Sequence, residues 1–329
     1  MNKKTAFLII AAAIVVAVVV VLTKTADQEP AAPDSPLQPQ AKGIIGLSVL
    51  TLTNPGFHAM ANAMKAEAAK HGYEVIVRDG ERNPAKQKDQ VQDFIVQQVE
   101  AIVLCPCDSI TVGEAIKQAN EAGIPVFTAD IACLAEDAKV ECHVAADNYT
   151  GGRQAGRAII EAVGGNGKVA IIDHPEVESV IQRTKGFRDE LDRARAEEGI
   201  DIEIVAVVPG HGESPESRQA AQDILQAQPD LDAFFAINDP SAMGVIAAIE
   251  EAGKGGKVKV VGFDGFKMGR QAIKDGKMYA EPVQHLDEIG RKTAELIVQF
   301  MKGEQIAPEF LIATTLYRRE DAEKDPTLK

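Results

Sequence analysis

The sequence predicts an α/β protein made of two similar Rossmann-like lobes, each built on a parallel sheet, joined by three chain crossings. Three observations carry this expectation. From Gly43 onward, short runs of Val, Ile and Leu alternate with amphipathic stretches, as in "IIGLSVL", "GFHAMANAMKAEAAKHG" and "YEVIVRD". Continuous apolar strands separated by helices mark a parallel sheet covered on both faces. The order then repeats: "AFFAINDPSAMGVIAAIEEAGKGGKVKVVGFDG" echoes "AIVLCPCDSITVGEAIKQANEAGIPVFTAD", with Ala233 answering Ala101 and Asp264 answering Asp130 at nearly the same offset. A duplicated lobe explains this better than one long sheet. Finally, 329 residues at 45% hydrophobic content suffice for about two globular domains.

The first element is a targeting segment. Lys3 and Lys4 precede an uncharged apolar stretch, Ala6 to Leu22. Its length exceeds the ~7–15 residues of a signal-peptide core and reaches the lower edge of the ~17–25 of a spanning helix. Cleavage after Ala26 would put Lys24 where a small residue belongs, and no Cys follows closely enough for lipoprotein processing. Residues 1–23 therefore read as either a signal peptide or a membrane anchor, with the basic end left in the cytoplasm. In residues 24–42, Pro30, Pro33, Pro36 and Pro39 recur at every third position, the period of polyproline II. Such a segment is a stiff spacer of ~3.1 Å per residue, or else a leader without structural role. Residues 43–146 plus 285–310 are expected to form the first lobe and 147–284 plus 311–321 the second, with 322–329 as a tail. The crossings fall near Ala146, Gln284 and Leu311.

Composition narrows the function. A formal charge of −14 argues against nucleic acid or an anionic membrane surface as partner, since either needs a basic patch. The chain has no Trp, so stacking on a ligand must use Phe, Tyr or His. Cys133 and Cys142 flank the short loop "CLAEDAKVEC" and could pair in an oxidising compartment, whereas Cys105-Pro-Cys107 is too tight to close on itself. No C-x-x-C pair supports a zinc site. "GGNGK" precedes a strand and is a turn, not a phosphate loop. No G-x-S-x-G or H-E-x-x-H is present, and no spacing supports a thiol nucleophile built from Cys105, Cys107 and His143. His143 and His211 read as isolated structural histidines.

In open parallel sheets, ligands bind beyond the carboxyl ends of the strands. Polar residues cluster there: Asn54 after the first strand, Asp130 after "IPVFTA", Asn238 after "AFFAI" and Asp264 after "VKVVGF". Four such groups from two lobes would converge on one cleft, a favoured place for a small-molecule pocket. Each has a plainer reading. Asn54, followed by Pro55, suits a helix cap, and Asp108 reads as a cap alone. In "NDPSAMG" the cap is expected to be Asp239, leaving Asn238 free for a ligand. Asp264 could cap a helix from Phe266, but its neighbour Phe263 favours binding. Ser179 and Gln182 fit a capping box, which would put Arg183 in the first turn of a helix beside the cleft. Gln284 stands where the chain crosses between lobes, and Phe57 and Phe263 could present ring faces.

These residues lie in "TNPGF", "RNPAKQKDQVQDFI", "IPVFTAD", "AADNYTGG", "FFAINDPSAMG", "VVGFDG" and "VQHLDEIG". Together the motifs resemble the ribose-binding-protein group of periplasmic monosaccharide-binding proteins, over nearly all of Gly43 to about Asp321. LacI-type repressors share that fold but carry a helix-turn-helix where this chain carries an export segment. The resemblance implies a type I periplasmic binding protein fold. It makes Asn54, Phe57, Asp130, Arg183, Asn238, Phe263, Asp264 and Gln284 ligand contacts, with Cys105 at a ninth position. Three positions depart from the group: Gly56 replaces a phenylalanine, Ile131 an arginine and Cys105 an asparagine. A sugar other than ribose is therefore plausible. The implied function is an extracytoplasmic solute-binding protein for a monosaccharide or polyol, monomeric and without cofactor or catalytic role. It would close by hinge motion and deliver its ligand to an ABC permease. The rival readings are a sugar-sensing receptor for a signalling protein and a carbohydrate-modifying enzyme using Asp130 and Asp264.

Overall fold

The computed structural model describes residues 42–329. The apolar stretch at residues 6–22, and all but the last residue of the proline-rich stretch, lie outside the described residues. Among the described residues, no helix is long and apolar enough to cross a membrane.

The first sheet is formed by β1 (Gly43–Val49), β2 (Tyr73–Asp79), β3 (Ala101–Leu104), β4 (Val126–Ala129), β5 (Cys142–Ala146) and β11 (Glu309–Ile312). Its order is β11-β5-β4-β3-β1-β2 and every pairing is parallel. Helices α1 (Pro55–Lys70), α2 (Pro84–Val96), α3 (Val112–Glu121) and α9 (Leu286–Met301) accompany it. The second sheet joins β6 (Asn166–Asp173), β7 (Asp201–Pro209), β8 (Ala233–Ala236) and β9 (Lys259–Val261) in the order β7-β6-β8-β9, again parallel. Its helices are α4 (Asn148–Val163), α5 (Glu178–Glu198), α6 (Ser214–Ala227), α7 (Asp239–Glu251) and α8 (Lys267–Lys274). Strands β3 and β8, matched by the internal echo, occupy the same place in their sheets. A small antiparallel pair, β10 (Glu281–Val283) with β12 (Thr315–Tyr317), lies in the connecting segments.

The apolar strand runs are buried at nearly every position, as in β3, β4 and β8, because helices cover both faces. In each lobe the strand order reverses direction beside its first strand, between β1 and β3 and between β6 and β8, and that is where an open sheet leaves a crevice. Close approach of α4 and α5 sets one wall of the cleft. A Cβ on Gly152 would overlap the Arg183 carbonyl oxygen, and one on Gly186 the Tyr149 carbonyl oxygen.

Strand β11 keeps pairing with β5 as far as Ile312, which puts the third crossing just after that residue, next to Leu311. Residues 322–329 are not a loose tail: helix α10 (Arg319–Lys324) and the chain end put Ala322 and Leu328 into the second core. All four cysteines are free thiols, with Cys142 packed inward from β5 and Cys133 in the loop.

Candidate functional site

The strand ends of the two sheets meet across a small cavity of about 40 Å³. Asn54, Phe57, Asp130, Arg183, Asn238, Asp264 and Gln284 all line it. Two other nominated residues do not. Cys105, fully buried, lies behind Asp130, with its thiol 3.9 Å from Oδ2. Phe263, also fully buried, lies under Arg183, whose guanidinium carbon is 3.9 Å from the ring centroid.

Arg183 organises the second-lobe wall. Its Nε donates to Asn148 Oδ1 at 2.8 Å, and Nη1 donates to the Ile237 carbonyl at 2.7 Å and to Asp264 Oδ1 at 3.2 Å. Nη2 donates to Gln284 Oε1 at 3.1 Å, and Gln284 Nε2 in turn donates to Asp264 Oδ1 at 2.7 Å. A planar donor fork satisfied on every side is held in one orientation. Burial raises the pKa of Asp264 well above the carboxylate range; Arg183 opposes this, and Asp239 and Asp130 add to it. Asp264 has φ 113, a strained conformation for any residue but glycine. A bridge to Val283 helps to hold it there.

Asp130 completes the opposite side. It ends β4 with φ 67 and is 4% exposed, and its Oδ1 has no hydrogen-bond partner. Burial pushes its pKa up to about 6, with Arg183 pulling the other way. Around it the first lobe contributes apolar surface from Leu50, Phe57 and Ile131 beside the polar Asn54 and Arg82. The cavity therefore offers ionic and amide groups from both lobes, interleaved with hydrocarbon surface.

Local structure departs from the sequence reading at three of these residues. Asn238, not Asp239, caps α7, accepting from Ser241 N at 2.9 Å; its amide still reaches the cavity and donates to the Gly212 carbonyl at 3.1 Å. Asp239 is buried and accepts from Phe266 N, which leaves Asp264 uninvolved in capping α8. No capping box opens α5: Val177 is its cap residue and makes no side-chain bond, so Arg183 sits in the second turn. Asn54 does both jobs, capping α1 through Gly56 N at 2.9 Å while lining the cavity.

Sequence reasoning missed Arg82 and His174, which also line the cavity. Both follow strand ends, β2 and β6, so the rule that nominated Asp130 would have found them. Arg82 belongs to a set of contacts between the lobes at the cleft mouth. Its Nη1 donates to the His211 carbonyl at 2.9 Å and its guanidinium pairs with Glu213. Ser109 N donates to the Glu176 carbonyl at 3.0 Å, and Glu178 N donates to Ser109 Oγ at 2.9 Å. The lobes are thus closed on each other. His143 is a satisfied core histidine, bonded to Thr128 Oγ1 at 2.8 Å. Burial pushes the Cys105 thiol well up and Cys107 up to about 12, so neither is a nucleophile. A larger, mainly apolar groove of about 1080 Å³ shares Asp264 and Leu286 with the cavity, but the convergent hydrogen-bonding groups are in the smaller space.

The periplasmic binding protein domain profile matches residues 45–305. The chain belongs to the periplasmic binding protein family. The ribose import binding protein RbsB of Salmonella typhimurium is 36% identical over 271 residues, covering 82% of this chain and 88% of its own. Among solved structures, an ABC transporter periplasmic solute binding protein from Actinobacillus succinogenes with bound D-allose superposes with a TM-score of 0.79 at 28% identity, covering 86% of this chain and all of that one. A solute binding protein from Bacillus halodurans with bound myo-inositol superposes with a TM-score of 0.78 at 27% identity, covering 87% of this chain and 97% of that one. The type I fold read from the alternating pattern is the fold of this family, and its members are binding receptors, not enzymes.

Proposed function

We infer that this receptor binds one monosaccharide or cyclic polyol in the cavity between its lobes and presents it to an ABC importer. The observation that carries the reading is Asp130: a buried carboxylate oxygen without a partner, opposite the Arg183–Asp264–Gln284 network. A sugar hydroxyl is both donor and acceptor, so it suits carboxylates, guanidinium and amides together. Hydrogen bonds to charged groups contribute roughly 1.5–3 kcal/mol each, and micromolar affinity needs only about 8 kcal/mol. Phe57 and Ile131 supply an apolar wall for ring C–H groups. The relatives' names point to ribose, D-allose and myo-inositol. Gly56, Ile131 and Cys105 remove polar grips and a stacking face from the first-lobe side, which favours a pentose, hexose or polyol other than ribose.

Residues 43–146 with 285–312 act as one rigid body and 147–284 with the C-terminal stretch as the other. Ligand contacts to both shift an open–closed equilibrium. Residues 6–22 serve either as a cleaved signal peptide or as a retained membrane tether, and the mass of the mature protein decides between them. Thermal shift against a panel of pentoses, hexoses and polyols tests the ligand class. At least one raises the melting temperature, and Asp264→Asn and Asn238→Ala lose that rise. Folded variants that respond like the parent would refute the site.

A further inference from the structure

We propose that His174, Glu176 and His211 form a binding site for a divalent transition metal of the zinc class at the mouth of the cleft. Adjacent parallel strands β6 and β7 are each followed by a His-x-Glu sequence, His174-Pro-Glu176 and His211-Gly-Glu213. The two loops bring three donor atoms together. Glu176 Oε2 is 3.6 Å from His174 Nε2 and 3.7 Å from His211 Nδ1, and one ligating atom from each residue lies within 4.8 Å of the others. Bonds of about 2.0–2.2 Å in tetrahedral geometry put neighbouring ligand atoms roughly 3.3–3.6 Å apart, so the two glutamate–histidine distances nearly fit and the two imidazoles draw together on binding. The imidazoles meet edge to face, at 5.8 Å and 84°. Two histidines and a carboxylate are a common zinc donor set, and three protein ligands leave one position for water or a ligand oxygen.

The surroundings agree. The nearest fixed cation, Arg82, is already neutralised by Glu213, which leaves the second glutamate out of the ligand set. His211 has φ 49, a left-handed conformation whose strain persists only where the surroundings hold the loop in place. His174 is also a wall of the cavity. The carbonyls of Glu176 and His211 accept from Ser109 N and Arg82 Nη1 of the first lobe, so metal binding and closure are thermodynamically linked. That linkage, unlike the site itself, rests on the hinge closure inferred above.

The test is calorimetric titration of the chelator-treated protein with zinc chloride, first without sugar. One equivalent binds. His174→Ala and His211→Ala each weaken binding at least about tenfold, and Glu176→Gln weakens it too. His71→Ala, which removes the surface pair with Glu67, leaves it unchanged. Circular dichroism checks that each variant is folded. Zinc bound by none of these proteins, or bound equally by the His174 and His211 variants, overturns the site. Zinc binding with no change in sugar affinity overturns the linkage to closure alone.

Discussion

Replacing Asp130 by asparagine should make the protein more stable and a worse receptor. Asp130 is 4% exposed, and burial raises its pKa from 3.8 to about 6; Arg183 offsets this in part, Glu178 adds to it, and the Cys105 thiol bonds to it. Arg82 and His174 line the same cavity. Because the folded pKa lies above the unfolded one, the folded state holds its proton more tightly. The native carboxyl is therefore best tolerated below pH 3.8, and its penalty grows until pH passes about 6. At about 1.4 kcal/mol per pH unit, that gap amounts to about 3 kcal/mol at neutral pH, an upper figure that relaxation will reduce. D130N removes the charge at nearly constant volume, so its melting temperature at pH 7.5 should exceed the parent's by roughly 5 °C. Near pH 4 the two should converge. Affinity should fall by the difference between a charged and a neutral acceptor, about 1–2 kcal/mol or roughly five- to thirtyfold. Differential scanning calorimetry at both pH values and titration with the best sugar from the panel measure the two effects. A variant no more stable at pH 7.5, or one that binds within about twofold of the parent, would refute the view that Asp130 is strained to serve a ligand.

A Cβ on Gly56 would overlap Phe266 Cζ across the cleft and Leu286 Cδ1. Gly56→Phe should therefore hold the lobes apart and cut affinity at least about tenfold, with partial rescue by Phe266→Ala, as read by titration and small-angle scattering. Arg82→Ala removes the half-exposed pair with Glu213 and the bond to the His211 carbonyl. It should weaken sugar binding by about 1 kcal/mol and leave the melting temperature of the ligand-free protein within about 2 °C of the parent. His143 is buried neutral with its pKa pushed down to about 4 by burial. Its contribution is complete above pH 6.5 and is lost as pH falls towards 4, so His143→Gln should flatten the acid limb of the stability–pH curve.

Much of this was legible because strand ends carry their own punctuation. Asn54, Asp130, Asn238 and Asp264 each end an apolar run, and the fold brings all four to one cavity. The duplication was legible because both lobes use the same strand order. The start of α5 was not: Ser179 and Gln182 imitate a capping box, but Glu178 N is satisfied by Ser109 Oγ of the other lobe, a contact that local sequence cannot encode. Phe263 directly adjoins Asp264 in sequence and Cys105 follows β3 beside Asp130, yet each turns into the core and supports a lining residue from behind. Arg82 and His174 follow strand ends too, and Arg82 opens the stretch "RNPAKQKDQVQDFI". Only the closed arrangement makes them walls.

Asp264 is bonded to Gln284 and bridged to Val283, in the segment where the chain passes between lobes. The group that would grip the guest is thus fastened to the part that flexes. Occupancy can bias the shape of the whole receptor from a single residue, with no relay through either lobe, and a substitution there would blunt recognition and movement together.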